Sequence, residues 1–197
     1  MKIYILRHED RTQDASFFGP LTKNGLEKST KLIEKCEELH INHIYSSPFI
    51  RTLQTIYPYS KYKSIPIKLD YALCEIHDQS LIAHNSHGTH LPEYLAQSFN
   101  YEDKYKSSIQ PEEIKYPETK KDVIVRVRNL LKNIITNHGK TDDRIIIVTH
   151  QVVCDNILNM VGKLKKHNII NYPIGSISLI FEDFEWSFKP INWKLKT

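Results

Sequence analysis

Two arginines, two histidines and a glutamate of this chain stand where hydrophobic runs end. Arg7 and His8 follow KIYIL, Arg51 follows HIYSSP, Glu75 comes shortly after IPIKL, and His150 follows RIIIV by one threonine. Together these residue types suit a phosphate dianion. A guanidinium offers a planar fork of N–H donors that matches phosphate oxygens. One neutral imidazole can attack phosphorus through a ring nitrogen, while the other donates to the non-bridging oxygens as charge develops on them. A carboxyl group can protonate the departing oxygen and then activate water. Glu75 is the first choice for that acid, with Asp10 and Asp78 as rivals.

The elements that must position these groups read as alternating strands and helices. KIYIL is a short buried strand. Thr22 opens a helical pattern whose inward face is read through Leu26, Ser29, Ile33 and Cys36. HIYSS, residues 43–47, is a second strand, and Ser47-Pro48 reads as the start of a helix running through Arg51 towards Pro58. IPIKL supplies a third strand. Residues 76–117 are polar and read as an inserted lid with little regular core. Thr119 to Asp122 resembles a capping box, and Val123, Val127, Leu130, Leu131 and Ile134 mark an amphipathic helix. RIIIV is a continuous β-branched run, as expected of a strand covered on both faces. Val152–Val161 is helical, and ISLIF with the aromatic tail to Trp193 suggests a late hairpin. This order predicts an α/β sandwich around a largely parallel sheet. In such sheets ligands bind beyond the carboxyl ends of the strands, which is where the candidate residues fall.

Composition fits a soluble globular chain. The 197 residues form one expected domain, 1–197, with 40% hydrophobic and 25% charged residues. The net charge of +4 comes from scattered lysines, including the Lys163, Lys165 and Lys166 group. That pattern reads as a solvated surface rather than a nucleic-acid face. No apolar stretch is long enough for a membrane span, and the N-terminal run is too short for a signal peptide. Three scattered cysteines without a CxxC suggest a reducing, cytoplasmic setting. None of them has an arginine six residues later, so cysteine-based phosphatase chemistry is excluded. His84, His87 and His90 have a spacing that could suit a metal, but they read as solvated loop histidines. No metal or other cofactor is expected.

The ordered segments resemble the histidine phosphatase superfamily, with its phosphoglycerate mutase-like fold. Its Arg-His-Gly signature corresponds to Arg7-His8-Glu9, and its Leu-Thr-then-Gly element to Leu21, Thr22 and Gly25. Its Ser-Ser-Pro element corresponds to SSPFIRTLQT, and its acid after the third strand to Glu75. Its acid-Ser/Thr-Asp-Arg element is matched by Glu118-Thr119, Asp122 and Arg126, and its second histidine by VTHQ. The match spans roughly residues 1 to 185. It implies a three-layer α/β/α sandwich with a mostly parallel central sheet. It also implies a metal-independent phosphomonoester hydrolase with a phosphohistidine on His8 and Glu75 as proton donor. His150 is then catalytic and phosphate-binding, together with Arg7 and Arg51. Arg-His-Glu-Asp-Arg further resembles the branch holding the eukaryotic ubiquitin-associated, SH3-containing tyrosine phosphatases and the insect ecdysteroid-phosphate phosphatases. In that branch the second arginine, here Arg11, also binds phosphate; on its own Arg11 could equally pair with Glu9 or Asp10. His150-Gln151 resembles fructose-2,6-bisphosphatase domains. A phosphomutase or sugar-bisphosphate phosphatase is therefore the alternative within the fold. An inactive phospho-ligand or protein-binding module is the alternative from another class. It is motivated by Glu9, whose carboxylate would repel phosphate unless it points away or pairs with Arg11, and by Gln151, which would narrow the pocket. The expected substrate is a small-molecule or protein phosphomonoester, with no nucleic-acid or membrane partner. The sequence leaves the oligomeric state open.

Overall fold

The computed structural model describes residues 1–82, 87–161 and 171–191. His84, Trp193 and the lysines at 163, 165 and 166 lie outside the described residues. The elements run β1 (Lys2–Arg7), α1 (Lys23–Glu38), β2 (His43–Ser46), α2 (Ile50–Lys63), β3 (Ile67–Leu69), α3 (Glu93–Ala96), α4 (Lys120–His138), β4 (Arg144–Thr149), α5 (Gln151–Val161), β5 (Ile177–Glu182) and β6 (Glu185–Pro190). They build a six-stranded sheet in the order β3-β2-β4-β1-β5-β6. The first four strands in that order are mutually parallel; β5 runs antiparallel to β1 and forms the expected hairpin with β6.

Successive residues of a strand point to opposite faces, and here both faces are covered. Ile3, Ile5, Ile145 and Ile147 pack with Val123, Val127, Leu130, Ile157 and other residues of α4 and α5. Tyr4, Leu6, Ile146 and Val148 pack on the other side with Leu32, Cys36, Leu53 and Ile56 of α1 and α2. This is why β1 and β4 read as unbroken apolar runs. No described helix is long and apolar enough to cross a membrane.

Three local expectations shift. The buried face of α1 is Gly25, Ser29, Leu32 and Cys36, one residue round from the expected stripe, and Leu26 is 43% exposed. Gly25 sets that rotation, because a Cβ there would lie 2.1 Å from the Asp10 carbonyl oxygen. Helix α2 starts at Ile50 rather than at Ser47-Pro48, since Phe49 keeps an extended backbone and Ser47 is engaged elsewhere. It also continues through Pro58 to Lys63, held by buried Ile56, Tyr59 and Ser60 on either side of the proline. Finally, the lid has apolar packing of its own. Ile82 and Ile114 join Phe17, Phe49 and Cys74 in a third cluster. Asp70 at the end of β3 anchors the lid by accepting hydrogen bonds from the Tyr105 hydroxyl at 2.7 Å and the Ser108 hydroxyl at 2.8 Å.

At the opposite end of the sheet, the two His138 ring nitrogens engage Asp143 at 2.7 Å and the Tyr45 hydroxyl at 3.1 Å. Asp143 also lies 3.3 Å from His43. This cluster ties the end of α4 to the starts of β2 and β4, far along the strands from the residues below.

Candidate active site

The carboxyl ends of β1, β2 and β4 are locked in register past their last ladder residues. Arg7 pairs with Thr149, and beyond them the His8 N–H donates to the Thr149 carbonyl at 3.0 Å. Ser46 pairs with Val148, and the Ser47 N–H donates to the Val148 carbonyl at 3.0 Å. The first residues after three parallel strands therefore emerge side by side. They open onto a cleft whose walls include Arg7, His8, Arg11, Arg51 and Glu75.

His8 is buried, and its Nδ1–H donates to the Glu9 carbonyl at 2.7 Å. That bond fixes the tautomer and leaves the lone pair on Nε2. Burial, reinforced by the charge of Arg51, lowers its pKa to about 3, so the ring is neutral at ordinary pH. Arg51 is 2% exposed, lies 4.5 Å above the Phe49 ring and donates from Nη1 to the Ser16 carbonyl at 2.8 Å. Burial brings its pKa down to about 10, which leaves it charged. Arg7 donates from Nη1 to the Tyr172 carbonyl at 2.5 Å. The Nε atoms of Arg7 and Arg51 are both buried without a partner. Buried donors are normally satisfied, so two orphaned guanidinium N–H groups beside one cleft call for an acceptor such as an oxyanion.

His150 stands behind these groups rather than in the cleft wall. Its ring is fully buried and makes T-shaped contacts with His8 at a centroid distance of 5.3 Å and with Phe49 at 4.8 Å. Nε2 lies 2.9 Å from the Ser47 hydroxyl, and Nδ1 is buried without a partner. Either group can donate in the bond between Nε2 and Ser47, and Nδ1 is a further buried ring nitrogen without a partner. Burial, then the charge of Arg51, holds the ring's pKa well below 6.5.

Glu75 lines the same cleft as the arginines and is 8% exposed. Its carboxylate accepts from its neighbour's N–H, Ile76, at 3.0 Å and from Val152 in the first turn of α5 at 3.4 Å. Burial raises its pKa; those N–H groups and Arg51 oppose the rise. The rival acids point elsewhere. Asp10 accepts from the Thr22 hydroxyl at 2.7 Å at the start of α1, and Asp78 caps its own turn through Ser80 N–H at 2.7 Å.

Arg11 lines the cleft and donates to the carbonyls of Thr12 at 2.7 Å and Gln13 at 3.2 Å, not to Glu9 or Asp10. Glu9 turns away from the cleft. Its carboxylate lies under Gly175, while its own N–H donates to Thr55 Oγ1 at 3.0 Å. Gln151 does line the cleft, but its amide is tied sideways to Asn171 at 2.8 Å. Of the loop histidines, His90 pairs with Glu112 and His87 lies against His77.

Several groups escaped sequence reasoning. Ser47 read as a helix cap, yet its hydroxyl orients His150. The Tyr172 carbonyl and the Val152 N–H carry no side-chain signal at all. Ala15, Leu81, Ile82 and Val152 complete the cleft wall; Leu81 and Ile82 come from the segment read only as a polar lid.

Solved structures share the fold. The ecdysone phosphate phosphatase of Bombix mori, in complex with tungstate, superposes with a TM-score of 0.74 at 14% identity, over 98% of this chain and 92% of that one. A mycobacterial glucosyl-3-phosphoglycerate phosphatase complexed with VO3 gives 0.68 at 17% identity, over 98% and 99%. The phosphoglycerate mutase of Bacillus anthracis gives 0.67 at 15% identity, over 97% and 92%. No curated protein matches the sequence. The family model for branch 1 of the histidine phosphatase superfamily matches residues 4–193, and with that span nearly the whole chain, from the first strand past the last, belongs to this superfamily.

Proposed function

We propose that the chain is a phosphomonoester hydrolase, one domain with its lid at about 76–117, that works through a phosphohistidine on His8. The observation that carries this reading is the free Nε2 of a neutral, tautomer-locked His8 beside guanidinium N–H groups that lack acceptors. The substrate phosphate takes up the Nε groups of Arg7 and Arg51, with Arg11 at the open side and His150 Nδ1 behind. His8 Nε2 attacks phosphorus and forms the N–P bond as the ester P–O bond breaks. Glu75 in its protonated form, which burial favours, gives its proton to the leaving alcohol oxygen. In the second step the ionised Glu75 takes a proton from water, whose oxygen attacks phosphorus. His8 is released and inorganic phosphate is formed. Charge on the equatorial oxygens is met by fixed donors already in place, which need no reorganisation during the reaction.

The rest of the cleft favours a hydrolase of simple monoesters over a mutase or bisphosphatase. Beside the catalytic set the described walls are Ala15, Leu81, Ile82, Val152 and Gln151, which suit an apolar alcohol better than a second anion. The outward turn of Glu9 removes the main reason to read the site as inactive. Tungstate and VO3 in two structural neighbours are oxyanions of the kind this pocket would hold. The test is labelling from a 32P-monoester in the presence of EDTA. An acid-labile, base-stable phosphoenzyme should form without metal and be absent from His8→Ala. Labelling that persists in that variant would rule out His8.

A further inference from the structure

Neither residue of the buried ion pair Glu118–Arg126 lines the cleft itself. The carboxylate accepts from Arg126 Nε at 2.7 Å and Nη2 at 2.9 Å, with the two side chains 1% and 5% exposed. A buried ion pair is weak evidence for stability, since its desolvation cost is comparable to its attraction. Its further bonds point to another role. Arg126 Nη1 donates to the Ala72 carbonyl at 2.5 Å, and Nη2 reaches the Glu75 carbonyl at 3.4 Å. Glu118 Oε2 accepts from the His77 N–H at 3.1 Å, and the Glu118 N–H donates to the His77 carbonyl at 2.7 Å. The pair thus holds the backbone on both sides of Glu75.

We infer that Glu118 and Arg126 are positioning residues that aim the Glu75 carboxyl group at the leaving oxygen. The inference rests on the reading of Glu75 as proton donor. Residues 74–77 belong to no helix or strand, so no ladder holds them. One further clamp comes from Thr149, whose hydroxyl donates to the Leu73 carbonyl at 2.7 Å from the residue before His150. The grip is rigid at its base. Thr119 and Asp122 form a capping box at the start of α4, Glu118 immediately precedes the cap, and Arg126 lies two turns along. The helix therefore sets the separation of the two residues, and the pair transmits it to the acid-bearing loop. Proton donation tolerates little misplacement: an error of about 1 Å costs roughly 10²-fold in rate.

A purely structural role and a positioning role differ in one readout. Loosening Glu75 harms esters whose leaving group needs a proton and spares those whose leaving group does not. The experiment compares kcat/KM for an alkyl phosphate and for p-nitrophenyl phosphate in the wild type, Glu75→Gln, Arg126→Met, Arg126→Lys and Glu118→Gln. Thermal melts and vanadate affinity establish that each variant has folded with its phosphate cradle intact. Glu75→Gln should slow the alkyl ester selectively. The variants of the pair should do the same to a smaller degree, with losses of roughly 10–100-fold on the alkyl ester and under about threefold on the nitrophenyl ester. If Glu75→Gln is selective while the folded pair variants slow both esters equally, or neither, positioning is wrong and the acid reading stands. If Glu75→Gln is not selective, the acid reading fails and positioning fails with it. If Arg126→Met does not fold, Arg126→Lys and Glu118→Gln carry the comparison; failure of all three to fold would make the pair a folding requirement and overturn the inference.

Discussion

Gly175 and Glu9 offer a direct test of where the carboxylate beside His8 points. Gly175 has φ +64°, and a Cβ added there would lie 2.3 Å from Glu9 Oε1 and 2.6 Å from its Cδ. Ordinary carbon contacts begin near ~3.5 Å, so Gly175→Ala forces the buried carboxylate or the loop to move. Two costs add. A non-glycine residue in the left-handed region costs about 1–2 kcal/mol, and overpacking costs about 1–3 kcal/mol. The single variant should therefore lose roughly 2–5 kcal/mol of stability by urea unfolding at 25 °C. In a Glu9→Ala background the clash is gone and only the backbone cost remains. The double-mutant cycle should then show a coupling of about 1–3 kcal/mol. A kinetic arm follows from the same geometry. Gly175 N–H lies within hydrogen-bonding reach of the Arg7 and His8 carbonyls, at 3.2 and 3.3 Å, so Gly175→Ala should also reduce turnover by disturbing the backbone of His8, the proposed nucleophile. Glu9→Ala alone should leave vanadate affinity within about threefold, because the carboxylate is outside the cleft and already set apart from the anion. Equal cost of Gly175→Ala in both backgrounds would refute the reasoning. So would vanadate binding that tightens by about tenfold or more in Glu9→Ala, which is the effect expected of removing a carboxylate that faces the anion.

Arg51→Ala should cost about 3–5 kcal/mol in transition-state stabilisation, read as kcat/KM for a monoester. Arg51→Lys should recover only part of it, because an ammonium lacks the planar fork; near-wild-type rates for the alanine variant would place Arg51 outside the phosphate site. Acid sensitivity should be traceable in part to His8. Its native pKa is depressed from 6.5 to about 3, so between those values the unfolded chain binds the extra proton and stability falls as pH drops. His8→Gln should flatten that part of a urea-midpoint profile, and an unchanged slope would show that the ring is not buried neutral.

The layout of the site was largely legible because its elements announce themselves locally. KIYIL reads as a short buried strand and RIIIV as a strand covered on both faces, and their ends carry Arg7-His8 and Thr149-His150 by simple adjacency. The order of alternating elements then predicted that those ends meet. What could not be read was anything decided by the closing of the chain. The inward face of α1 is set by the approach of Gly25 to the Asp10 carbonyl, so the stripe counted from Leu26 and Ile33 came out rotated. Pro58 marks a helix stop in isolation, but buried neighbours on both sides keep α2 intact. Glu9 followed a similar logic: beside a nucleophile its charge type warned of repulsion, but its direction depended on a glycine 166 positions later in the chain. The deepest omission is the backbone itself. The Tyr172 carbonyl that holds Arg7, the Glu9 carbonyl that fixes the His8 tautomer and the Val152 N–H on Glu75 belong to residues whose side-chain identity says nothing of these roles. Every residue except proline carries the same donor and acceptor, so sequence names the ionisable groups of a site without naming the peptide groups that orient them. A substitution scan by side-chain type would miss these contacts for the same reason. They are reached only through residues that place the backbone, such as Asp155, which accepts from the N–H groups of Asn171 and Tyr172 at 3.0 and 2.9 Å and so holds the carbonyl that Arg7 needs.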